Sequence, residues 1–150
     1  MTGALDAASG CLTGMSRVRR YSELRRLETF EERFEYLSLV GQVGEQTFGH
    51  DRWMNQRFYA SPQWQHVRNE VILRDNGCDL GVPGYEVHYG ILVHHMNPVT
   101  MEDIGRGRSW ILDPQFLICT SKLTHNALHY GGEVPRREPV ERRPGDTKLW

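Results

Sequence analysis

Apolar residues recur at helical spacing early in the chain: Leu24, Leu27, Phe30, Phe34 and Leu37, joined by Tyr36, with arginines and glutamates between them. A 3.6-residue period of this kind predicts one amphipathic helix over 21–40. Gly41, Gly44 and Gly49 then interrupt the pattern. Ser61 followed by Pro62 reads as an N-cap with proline at the first helical position. A supporting helix is therefore expected over 62–73, turning Trp64, Val67, Val71 and Ile72 toward a core. Arg74-Asp75-Asn76-Gly77 carries turn chemistry that closes this helix, and Gly81, Pro83 and Gly84 keep the next stretch irregular. Segments 85–89 and 91–95 are rich in β-branched and aromatic residues on either side of Gly90, which predicts a tight hairpin. A loop is expected over 97–113, then a last helix from Ser121 or Thr124 to Gly131-Gly132. The pattern describes an α+β chain: a disordered N-terminus over 1–20, a helical arm over 21–60, a core over 61–132 and an extended tail over 133–150.

Composition narrows the function classes. A chain of 150 residues fits one domain, and no apolar run approaches the roughly 20 residues of a membrane helix. Net charge is −1, so nucleic-acid binding would have to come from local patches rather than a global positive field. Sixteen of the 18 cationic side chains are arginine, whose planar fork suits bidentate phosphate contact; a GC-rich genome gives the same bias. The run Arg17, Arg19, Arg20, Arg25, Arg26 reads as a solvated helix face or as a phosphate stripe. Cys11, Cys78 and Cys119 form no CxxC pair, which argues against a disulfide framework or a cysteine zinc knuckle and for a reduced, cytoplasmic setting. The first fourteen residues carry no pattern of a secretion or lipidation signal, and Met15 is an alternative start.

The candidate chemistry lies in histidine. Four of the seven sit in two tight clusters, His94-His95 and His125 with His129; His50, His66 and His88 read as ordinary surface or core residues. Positions i and i+4 share one helix face, so His125 and His129 can offer nitrogens to one metal ion. Adjacent strand residues point to opposite faces, so His94 and His95 divide their labour, one binding metal and one free for proton transfer. An imidazole with a pKa near 6.5 can accept a proton from water near neutral pH.

Taken in order, Trp64-x3-Arg68-x5-Arg74-Asp75, Val93-His94-His95-Met96-Asn97-Pro98, Leu117-Ile118-Cys119 and His125-Asn126-Ala127-Leu128-His129-Tyr130-Gly131 resemble the ββα-metal core of the HNH endonucleases. The resemblance implies that His94, His125 and His129 hold one divalent metal ion (Mg, Mn, Ni or Zn) and that His95 is the general base. It implies hydrolysis of phosphodiester bonds in double-stranded DNA, leaving 3′-hydroxyl and 5′-phosphate ends. Arg106 and Arg108 are then candidates for phosphate contacts, and Asn97 and Asn126 are supporting residues: Asn97 by turn chemistry or as a brace, Asn126 by satisfying backbone groups in the first helical turn.

Two departures qualify the match. The family's middle asparagine, nine residues before the first helix ligand, is here Phe116, with Asn97 or Asp113 as replacements for its hydrogen bond. Places where many relatives carry zinc-ribbon cysteines hold Cys78, Gly81, Ser121 and Thr124, so no structural zinc is expected. The texture of the N-terminal helix and the ending Pro144-Gly145-Asp146-Thr147-Lys148-Leu149-Trp150 are similar to small phage-encoded HNH proteins. That implies a role beside terminase in genome packaging, in the host cytoplasm. Two other readings stay open: a weakened family member that binds DNA or a packaging partner without efficient cleavage, and a structural histidine-rich domain without stoichiometric metal.

Overall fold

The computed structural model of the chain describes residues 17–40 and 52–134. Within the first of these segments the single helix expected over 21–40 is two: α1 (Tyr21–Leu24) and α2 (Phe30–Leu37). The break follows from Thr29, which starts a new helix through a reciprocal capping box. Its hydroxyl accepts the Glu32 amide at 3.2 Å, and the Glu32 carboxylate accepts the Thr29 amide at 3.2 Å. Arg33 then satisfies the carbonyl of Leu27 in the gap, at 2.8 Å. Arg17–Arg20, expected as part of a disordered terminus, is extended backbone whose third residue, Arg19, is buried and tied down. Residues 1–16, Gly41, Gly44, Gly49 and His50 lie outside the described residues.

Helix α3 (Arg52–Ala60) leads into α4 (Pro62–Arg74), and Ser61 joins them. Its hydroxyl donates to the Phe58 carbonyl at 2.6 Å and accepts the Trp64 amide at 3.2 Å, closing one helix and capping the next. Asn76 and Gly77 take left-handed backbone, φ 54° and 65°, and end α4 as the turn residues predict.

The predicted hairpin across Gly90 does not form. Strand β2 (Tyr85–Glu86) pairs backward with β1 (Cys78–Asp79), while β3 (Leu92–His95) pairs antiparallel with β4 (Leu117–Thr120). Val87 completes the backward pairing by donating to the Gly77 carbonyl, so backbone groups of β2 and Val87 that a hairpin across Gly90 would have offered to β3 are already committed. The better partner is β4, whose four residues are all buried. The connection expected as a loop over 97–113 contains α5 (Met101–Gly105), opened by a Thr100–Asp103 capping box, and a 3-10 turn at Ser109–Leu112; a second such turn follows at Pro114–Phe116. Helix α6 (Lys122–Tyr130) starts at the Ser121 cap and ends at Gly131, φ 78°, close to its expected bounds.

Strands β3 and β4 divide the core. Ile118 joins Leu24, Tyr36, Leu37, Met96 and Leu128 in one cluster; its neighbours Leu117 and Cys119 join Trp64 and Val71 in the other. This is the period-2 alternation of a strand buried on both sides. The arm read over 21–60 is therefore no appendage, because Leu24, Tyr36 and Leu37 share a core with β4 and α6. Two buried carboxylates lock the frame. Asp75 accepts the Cys119 amide at 2.8 Å and pairs with Arg74 at 2.7 Å, and Arg74 also donates to the carbonyls of Pro114 and Leu117. Asp79 accepts from the amides of Gly81 and Ser121, both at 2.9 Å, and from the Thr124 hydroxyl at 2.6 Å.

Candidate metal centre

His94 and His95 occupy the end of β3, where register decides their faces. His94 stands opposite Ile118 and His95 opposite Leu117. Directly paired residues share a face, so His94 looks toward the α6 side and His95 toward α4. On α6, His125 and His129 are one turn apart and face His94. One ligand nitrogen from each of the three lies within 4.8 Å of the other two. Ring centroids are 5.2 Å apart for His94–His125, 5.0 Å for His94–His129 and 4.5 Å for His125–His129. A tetrahedral ion with bonds near 2.0–2.1 Å sets its nitrogens about 3.4 Å apart.

Two observations test whether these residues suit a metal. The Nε2 of His94 is buried without a hydrogen-bond partner among the described residues, a condition that costs about 1–3 kcal/mol unless something binds there. Burial also lowers the pKa of all three imidazoles, and His94 is pushed down further by His125, His129, His95 and the nearby Arg19. Near neutral pH the three are uncharged, the form in which imidazole ligates. The set fits a first-row cation that accepts nitrogen better than it fits a hard, oxygen-seeking ion.

His95 has different surroundings. Its Nε2 lies 2.8 Å from the Ile111 carbonyl. A carbonyl only accepts, so Nε2 carries the hydrogen and Nδ1 is the open nitrogen of the neutral ring. Trp64 stacks on the imidazole at 5.2 Å and 18°, and Phe58, Tyr59 and Trp110 complete an aromatic wall at 6.3–6.5 Å. Burial among these rings lowers the pKa to about 4, partly opposed by the Ile111 carbonyl.

No family model, curated protein or solved structure matches this chain.

The supporting residues fall out differently from their expected roles. Asn97 pairs its amide with the backbone of Arg19, accepting at 2.8 Å and donating at 2.9 Å, so it anchors the segment ahead of α1 rather than steadying His95. The Arg19 guanidinium continues to the carbonyls of Tyr36 and Ser38, which removes it from any solvated stripe. Asn126 does not serve the first turn of α6, whose Thr124 amide bonds Ser121; its Oδ1 is exposed and lies 3.4 Å from Nδ1 of His125. Arg106 pairs with Glu102 at 3.0 Å on the open surface, while Arg108 lines a cleft described below. Phe116 places its ring edge-on to Trp110 at 6.1 Å, and Trp110 in turn touches His95. His66 and His88 are exposed. Sequence reasoning missed the Ile111 carbonyl and the stacking role of Trp64, and no local pattern signals either. For Asp79 the Ser121-x-x-Thr124 cap was the available clue.

Proposed function

We propose that this protein is a metal-dependent endonuclease of the HNH type, hydrolysing phosphodiester bonds in double-stranded DNA. The observation that carries the reading is the pairing of two unlike histidine environments across one strand. Three neutral imidazoles converge with a buried nitrogen left open, and immediately beside them an imidazole has its tautomer fixed for accepting a proton. The chain order β3, β4, α6, with ligands on the first strand and the helix, supports the ββα-metal assignment.

His94, His125 and His129 would hold one divalent ion. Bound there, such an ion supplies Lewis-acid charge at a phosphodiester oxygen and offsets the negative charge of the departing 3′ oxygen. His95 does the proton work. Its Nε2–H donates to the Ile111 carbonyl, which fixes Nδ1 as the basic nitrogen, and the stack on Trp64 limits rotation of the ring. Water entering beside Nδ1 loses a proton to it and attacks phosphorus; the bond to the 3′ oxygen breaks, that oxygen takes a proton from solvent, and His95 returns its own proton to solvent, giving 3′-hydroxyl and 5′-phosphate ends. A pKa of about 4 keeps His95 deprotonated at neutral pH, ready to act but only weakly basic.

A second reading is favoured by Phe116. Aromatic packing through Trp110, instead of an asparagine hydrogen bond, steadies the His95 side of the site. A weakened enzyme that chiefly binds DNA or a packaging partner such as a phage terminase would fit that substitution. Plasmid nicking with Mg²⁺, Mn²⁺, Ni²⁺ or Zn²⁺ separates the two. Nicking by the wild type and its loss in His95→Ala is the expected result. Equal activity in both proteins sinks the proposed mechanism, and metal binding without nicking under any of the four ions selects the second reading.

A further inference from the structure

A cleft of about 580 Å³ opens between α3, α5 and the 3-10 turn at Ser109–Leu112. Its floor is apolar, formed in part by Met54, Ile104 and Leu112, and Trp53 stands in it half exposed. Arg57 and Arg108 supply the only charges among its described lining residues, which include no carboxylate. Arg57 makes no ion pair among the described residues; Arg108 lies near Asp103, whose carboxyl, against the opposing effect of burial, is held below the usual range chiefly by hydrogen bonds from Thr100 and to a lesser extent by Arg108.

The cleft adjoins the candidate base. Phe58 lines the cleft and places its ring 6.3 Å from His95; Ile111 lines it too and provides the carbonyl that His95 bonds. A strand whose phosphate sat at the histidines would run its neighbouring nucleotide past Phe58 into this space. A rail for phosphates alone needs basic side chains and gains nothing from an apolar floor with an exposed indole. A base face does gain, through stacking that tolerates any sequence.

We propose that this cleft binds one unstacked nucleotide next to the scissile phosphate, with Trp53 against the base and Arg57 and Arg108 on the flanking phosphates. The assignment rests on the endonuclease reading and adds a substrate preference to it. DNA that offers an unpaired nucleotide, as an overhang, a junction or a single strand, binds more tightly than uninterrupted duplex, in which no base is free to enter.

Fluorescence anisotropy tests this with the full chain in EDTA, using a labelled 12-nucleotide single strand, a blunt duplex and a duplex with an overhang. The single strand and the overhang are expected to bind about tenfold tighter than the blunt duplex. Trp53→Ala should lose about tenfold for the single strand. Arg57→Ala and Arg108→Ala should each lower the slope of log K against log salt by about 0.7. All three side chains are exposed, so circular dichroism and Ni²⁺ binding should match the wild type. Wild-type affinities for DNA and salt slopes in the three variants overturn the cleft assignment while leaving the endonuclease reading intact. Equal binding of blunt duplex and single strand overturns it as well. Competition by a poly-glutamate peptide as effective as that by the single strand gives the cleft to an acidic protein segment and overturns it. Failure of the wild type to bind any DNA, with no plasmid nicking, overturns both readings.

Discussion

Two buried polar clusters flank β4, and they have opposite states of completion. Around Asp79, every demand is met: one carboxylate accepts two backbone amides and a hydroxyl, tying β1 to the start of α6. Around His94, three imidazoles converge and the buried Nε2 has no partner among the described residues. A satisfied buried network specifies a fold, whereas an unsatisfied one lowers stability until a ligand arrives. The first cluster is therefore complete as it stands, and the second is open to a ligand. The Asp79 cluster also involves Gly81, Ser121 and Thr124, positions where the family resemblance would place zinc-ribbon cysteines. Hydrogen bonds to one carboxylate there link the same elements that a structural zinc would link. Packing adds to the constraint, since a Cβ on Gly81 would lie 2.5 Å from the Thr124 methyl.

The largest effect that would break this contrast is expected at Asp79. Asp79→Ala leaves two amides and a hydroxyl buried without an acceptor, and should cost about 3–5 kcal/mol in urea unfolding. A loss under 1 kcal/mol would mean that the holding cluster holds little. Next in size is the response to acid. In the metal-free protein the folded pKa of His95 is depressed from 6.5 to about 4. The unfolded chain therefore binds the proton more readily, and the stability is fully present above pH 6.5. It falls as pH drops from 6.5 to 4, by about 3 kcal/mol for this group alone. His94, lowered well below its usual value by burial and its histidine neighbours, extends the loss further into acid. Urea midpoints that stay flat between pH 7 and 4.5 would show that the histidines are not buried as described.

The contrast also explains what the sequence made legible. Helix α6 and its two histidines were readable because cap, period and i,i+4 spacing are local. So was α4, from Ser61-Pro62. The division of His94 from His95 followed from strand geometry alone, although the strand partner assumed for them was wrong. Choosing between β2 and β4 depends on which backbone groups are already committed, and that is a property of the whole fold. The break at Thr29 was local and readable, since Thr29-x-x-Glu32 is a capping box, but the apolar period ran across it. Ile111 reaches His95 through a carbonyl, a group every residue has, so no side-chain pattern could mark it.

A third effect, smaller, concerns the ion itself. At a concentration a hundred times its Kd, a metal that binds only the folded chain should raise stability by about 2.7 kcal/mol. Replacing His94 with leucine should abolish that gain. In the absence of metal the same substitution should leave stability unchanged or raise it by up to about 1 kcal/mol, because it removes a buried nitrogen that had no partner. This is the reverse of Asp79→Ala, though both remove a buried polar side chain. A loss of 3 kcal/mol in metal-free His94→Leu would show that the histidine cluster holds the fold as the aspartate does, and would erase the distinction.

The smallest effect lies at the rim. Asn126 places Oδ1 3.4 Å from Nδ1 of His125. If Nδ1 carries the hydrogen, Asn126 accepts it and leaves Nε2 of His125 as the ligating atom. Outer-shell partners of this kind usually contribute tenfold or more to metal affinity, but a contact this long and exposed should contribute about threefold, or about 0.6 kcal/mol. Calorimetric titration of Asn126→Ala with Ni²⁺ reads the difference directly. A threefold weakening keeps Asn126 as an orienting group at the edge of the centre. A gain in affinity would mean that Nδ1 is itself the ligand and that Asn126 competes for it, which would turn the His125 ring over and redraw the geometry of the binding cluster.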